Sequence, residues 1–87
     1  MRNIEVVKKF YEKEDAHSSN WNLFTRHNRD RFELVNYKTV IAYIYRGVVH
    51  INLNKYSSTT SAIQTLILDI GVDYNDKYDF RLYKEEN

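Results

Sequence analysis

Apolar and polar positions recur with two different periods along this chain, and each change of period marks a new element. From Asn3 onward, Ile4, Val7 and Tyr11 fall at helical spacing and Phe10 widens the stripe, so residues 3–15 predict a helix with Asn3 as its N-cap. The stretch HSSNWNLFTRHNRD holds no sustained period and is rich in Ser, Asn and Asp. Residues 16–30 therefore read as a long connection, pinned to the core by Trp21, Leu23 and Phe24. From Arg31 the period becomes two: RFELVNY, TVIAYIY and VVHINLN predict three strands, the last two joined through Arg46 and Gly47. That hairpin sets Ile44 opposite Val49, Ala42 opposite Ile51 and Val40 opposite Leu53 on a core face. The other face carries Ile41, Tyr43, Tyr45, Val48, His50 and Asn52, too few charges for a face left to water. It is either covered by the 16–30 connection or offered to a partner.

The segment NKYSSTTSAIQ comes next. Ser61 and Gln64 have the spacing of a capping box, and Ala62, Ile63, Leu66, Ile67 and Ile70 supply a helical stripe that ends at Gly71, which predicts a helix over 61–71. Ser57 to Thr60 then bridge strand and helix, and two readings of their hydroxyls stay open. They can satisfy the free N–H groups of the first helical turn. Alternatively, with Lys55, they can hold a phosphate or carboxylate at the helix start, although the segment lacks the glycines and second cation of a phosphate cradle. A last alternating stretch, DKYDFRLYKE, predicts a C-terminal strand. The expected order is α-β-β-β-α-β, an α+β fold in one domain over residues 1–87, with an antiparallel sheet and two helices packed on one face.

Composition narrows the chemistry. With no cysteine there is neither a disulfide framework nor a thiolate metal site, and a reducing cytoplasm is the expected compartment. No apolar run has the length of a signal-peptide core or a membrane span. His17, His27 and His50 form no HxH or HxxxH pair, so no metal site is expected. No nucleophile elbow is present, and the two glycines, Gly47 and Gly71, are taken by a turn and a helix end. The chain is accordingly read as non-enzymatic and without a cofactor.

Charge and aromatic content point toward binding instead. The formal net charge is only +1, but Arg26, Arg29, Arg31, Lys38, Arg46 and Lys55 face just Asp30 and Glu33 over the middle of the chain. Eight tyrosines in 87 residues are either half-buried strand filler or anchors for a partner. The order α-β-β-β-α is also that of double-stranded-RNA-binding domains, but those carry a lysine cluster where this chain reads STTSAIQ. A single-strand platform built on Tyr43, Tyr45 and His50, rimmed by Arg46 and Lys38, is the nucleic-acid alternative.

From Tyr37 to Ser61 the chain resembles a family of small phage and mobile-element proteins of unknown function. Their pattern is a Tyr-x-Thr-x-Ile-Ala strand, a short turn, then Asn-x-x-Lys-Tyr-Ser-x-Thr-Thr-Ser opening a helix. Tyr37, Thr39, Ile41, Ala42, Asn52, Lys55, Tyr56, Ser57, Thr59, Thr60 and Ser61 match it. The resemblance implies a phage-type accessory protein in the cytoplasm of a host bacterium, one that binds and inhibits a host defence protein or ribonucleoprotein in the manner of anti-CRISPR proteins. The candidate contact residues are Trp21, Tyr43, Tyr45, Arg46, His50, Lys55, Tyr56 and Thr59, with nucleic-acid binding by the same basic, tyrosine-bearing face as the alternative.

Overall fold

The sheet has five strands, and the additional one lies in the stretch that the residue pattern assigns to a connection. The structure is a computed structural model that describes residues 1–85. In chain order it holds α1 (Asn3–Tyr11), β1 (Leu23–Asn28), β2 (Arg31–Asn36), β3 (Thr39–Tyr45), β4 (Val48–Asn52), α2 (Ser58–Gly71), a 3-10 turn (Val72–Tyr74) and β5 (Asp79–Tyr83). The class is α+β as expected. The missed strand, LFTRHN, is an edge strand in which only Leu23 is buried, so it carries almost no apolar alternation. Its hairpin turn is also unmarked, because Arg29 takes the left-handed conformation (φ 58°) that a scan for glycine or Asn-Gly assigns to other residues.

Strands follow one another in sequence order, the first four antiparallel and β5 parallel to β4. The sheet is therefore mixed where a wholly antiparallel one was expected. A parallel neighbour requires the chain to return to the starting end, and α2 provides that crossover. Both helices pack on the face bearing Phe32, Leu34, Ala42, Ile44, Val49 and Ile51, all buried. From α1 come Val6, Val7, Phe10 and Tyr11, and from α2 Ile63, Ile67 and Ile70. Phe10 stacks on Phe32 at 6.0 Å.

Helix limits differ from the expectation at both helices. Helix α1 stops at Tyr11, not at residue 15, because the apolar stripe runs out there and Lys13 turns left-handed (φ 57°). Its N-cap is Arg2, whose backbone N–H donates to the Glu5 carboxylate at 3.2 Å, and Asn3 is already helical. Helix α2 starts at Ser58, one turn before the residue expected to cap it.

The β3–β4 hairpin keeps the predicted register at Ala42↔Ile51 and Ile44↔Val49, and it turns through Arg46 (φ 49°) and Gly47 (φ 77°). Val40 does not pair with Leu53. A bulge pairs Val40 with Val35 and leaves Ile41 unpaired and fully buried. Asn52 is buried as well, so that end of the face read as open is closed. The 16–30 stretch extends the sheet at its β1 edge, and among the described residues no further helix or strand lies over the face opposite the helices.

Candidate functional site: the open sheet face

Cross-strand pairing aligns Arg26, Glu33, Tyr43, His50 and Arg81 in one row across all five strands, on the side away from the helices. At the β1 end Arg26 Nε donates to Glu33 Oε1 at 2.8 Å and Asn28 Nδ2 to Oε2 at 3.3 Å. The Glu33 side chain is only 3% exposed, so its charge is spent on these partners and does not offset the cations further along.

Tyr43 organises the centre. The guanidinium of Arg31 lies 3.5 Å from its ring centroid, and the His50 ring stacks at 4.4 Å with planes 11° apart. Two planar groups that close cannot share one side of a ring, so both π faces of Tyr43 are taken within the protein. Arg31, Tyr43, Tyr45 and His50 line one shallow hollow. Arg31 Nε is buried there without a hydrogen-bond partner, and among the described residues Arg31 makes no ion pair. Arg46 sits 5.1 Å over the Tyr45 ring at the rim. His50 is held below its ordinary value of 6.5, by burial first and then by the charges of Arg81 and Arg31. Tyr83, 6.0 Å from Tyr43, is pushed up to about 12, chiefly by burial.

Of the residues singled out from sequence, Tyr43, Tyr45, Arg46 and His50 thus converge. Arg31 and Arg81 belong to the same cluster and were not anticipated. Arg31 stands at an alternating position of RFELVNY, but its neighbours follow only once the bulge is known, and Arg81 joins only through the parallel pairing of β5. Trp21 stands apart at the β1 edge, left-handed (φ 60°), exposed, and stacked on His17 at 3.5 Å. Lys55 and Tyr56 line a different cleft, with Lys38 and Lys84, at the end of the sheet. Thr59 is exposed on the first turn of α2 and joins neither group. No group of three or more His, Asp or Glu side chains is placed to hold a metal among the described residues. No helix among them is long and apolar enough to cross a membrane.

The hydroxyl-rich segment resolves residue by residue. Ser57 is the cap of α2, its Oγ accepting from Thr60 N–H at 3.2 Å. Thr60 is buried and its Oγ1 donates to Asn36 Oδ1 at 2.6 Å, tying the helix start to β2. Ser61, expected to cap, is an exposed residue inside the helix. Replacing Ser57 by Ala should cost about 1 kcal/mol, and Thr60→Ala about 1–3 kcal/mol because the buried Asn36 oxygen loses its donor. Ser61→Ala should stay within about 0.5 kcal/mol. Urea midpoints of the three variants check this order; a Ser61 variant more damaged than the other two would overturn the assignment.

Compared with known proteins, the chain matches no family model, no curated protein and no solved structure.

Proposed function

We propose that the chain is a non-enzymatic binding module whose open sheet face takes an acidic patch of a protein partner. The observation that carries this reading is Arg31, a guanidinium laid flat on Tyr43, partly dehydrated and without a carboxylate of its own. Such a fork is pre-oriented for a bidentate carboxylate, and arginine and tyrosine at the centre of a flat patch are the usual anchors of protein interfaces. The face is also short of free acid: Asp79 on β5 is the acidic neighbour of the hollow, against Arg31, Arg46 and Arg81. The resemblance at Tyr37 to Ser61 suggests the partner class, a host defence protein or ribonucleoprotein blocked by a phage-type accessory protein in a bacterial cytoplasm. A second reading, single-stranded nucleic acid along the same cations, draws on Arg46 and Arg81 at the two sides of the hollow. It is the weaker one, since Tyr43 offers no free ring face for a base.

The test is capture from bacterial lysate followed by binding to the purified partner, or to purified CRISPR effectors, across salt and pH. A carboxylate arriving beside His50 favours its charged form, so binding should take up a proton. Affinity should therefore rise as pH falls from neutral toward the lowered value of His50, and a His50→Gln variant should lose most of that slope. The folded chain alone moves the other way: a depressed histidine contributes stability that is present above 6.5 and lost as pH falls toward its lowered value. Retention of nucleic acid with no protein at micromolar concentration would sink the reading.

A further inference from the structure

The geometry points to a second site, on other residues, in the cleft at the end of the sheet: a phosphate-binding site formed by Lys38, Lys55, Lys84 and the hydroxyl of Tyr56. It is independent of the proposed role of the open face. The cleft measures about 660 Å³. Its three lining lysines come from the β2–β3 turn, the β4–α2 connection and the residue after β5, so the fold gathers basic residues from three distant parts of the chain. None of the three makes an ion pair among the described residues, and Glu85 is the acid in the lining.

A second observation concerns how the cleft is held. Asn52, fully buried, donates through Nδ2 to Val40 O at 3.2 Å and to Tyr56 Oη at 2.9 Å, and its Oδ1 accepts from Asn54 N–H at 2.8 Å. Gln64 of α2 donates to the carbonyls of Asn52 and Asn54 at 2.8 and 2.9 Å. Asn54 Oδ1 accepts from Glu85 N–H at 3.1 Å, which ties the segment carrying Lys84 to the one carrying Lys55. Two largely buried amides thus fix the loop between β4 and α2 far beyond what capping needs, since Ser57 alone caps the helix. Because the Tyr56 oxygen already accepts from Asn52, its own proton is left to donate outward. Compact point donors disposed around a cleft, with no guanidinium fork, suit a tetrahedral phosphate better than a planar carboxylate. Among the described residues the lining sets three lysines against one carboxylate, a balance that suits a phosphate monoester, which carries close to two charges at neutral pH.

The test is an amide-resolved NMR titration of the full chain with inorganic phosphate against chloride, at pH about 7.5 and constant ionic strength of about 0.15 M. Saturable shifts confined to Lys38, Lys55, Tyr56 and Lys84 are expected. They should weaken at least tenfold in a Lys55→Ala, Lys84→Ala double variant and persist in Arg31→Ala. Lys55 and Lys84 are exposed and Arg31 is half-buried, and the melting temperature of each variant is checked first. A 5′-phosphorylated trinucleotide that competes, where its unphosphorylated form does not, would assign the phosphate to a nucleic-acid end; saturable binding of inorganic phosphate without that competition would assign it to a small molecule. Shifts that do not saturate, or that survive in the double variant, overturn the site.

Discussion

Tyr11→Ala is expected to remove a large share of the chain's stability. Tyr11 is fully buried, and its hydroxyl donates to Ile67 O at 2.6 Å, joining α1 to α2. Its own carbonyl accepts from Tyr78 Oη, also at 2.6 Å, which ties α1 to the approach to β5. The ring stacks on Tyr74 at 4.8 Å, and the fit at Gly71 is so close that a Cβ there would stand 2.7 Å from the Tyr11 oxygen. Truncating such a ring costs about 3–5 kcal/mol, against about 5–10 kcal/mol of total stability for a domain of this size. At roughly 4–8 °C per kcal/mol the melting temperature should fall by roughly 12–40 °C. Tyr11→Phe keeps the ring and loses one hydrogen bond, so it should cost only about 1 kcal/mol. Thermal and urea unfolding of both variants decide; a Tyr11→Ala protein melting within about 5 °C of the parent would show that the helices are joined elsewhere.

The elements that bury a regular stripe were legible without coordinates. Val7 and Tyr11 of α1, and Ile63, Ile67 and Ile70 of α2, repeat at helical spacing because one side of each helix lies on the sheet. The Ala42↔Ile51 and Ile44↔Val49 pairs follow from alternation once the Arg46-Gly47 turn is placed. What escaped was structure whose cause lies outside its own residues. Strand β1 exists because β2 offers it a hydrogen-bonding edge, not because LFTRHN is apolar. Turns at Arg29 and Tyr37 use ordinary side chains in left-handed backbone, which no composition signal marks. The cap at Ser57 was obscured by five consecutive hydroxyl residues, each a credible cap until the buried Thr60–Asn36 bond fixes the helix start. Four of the six residues of the candidate cluster were legible for a similar reason. Tyr43, Tyr45, Arg46 and His50 share one hairpin, whereas Arg31 and Arg81 reach it from strands on either side.

Under the proposed protein-binding role of the open face, Arg31→Ala should weaken partner binding by about 2 kcal/mol or more, roughly thirtyfold, with a smaller effect on folding. Its guanidinium is the cation at the centre of the hollow, and removing it takes away both the fork and one wall of the Tyr43 stack. Folding is affected less, because the contact with Tyr43 contributes about 0.5–2 kcal/mol and the residue is only half-buried. Arg31→Lys retains the charge but not the planar fork, and should recover a minor part of the affinity. Arg26→Ala acts by a different route. It leaves the buried Glu33 carboxylate without its 2.8 Å partner, so stability should drop while binding per folded molecule changes little. The two arginines therefore separate a contact residue from a positioning residue on one face. Binding is measured by biolayer interferometry on the captured partner, with unfolding curves on the same samples. An Arg31→Ala protein that melts and binds like the parent would remove the hollow from the interface and move the search to Trp21 and the β1 edge.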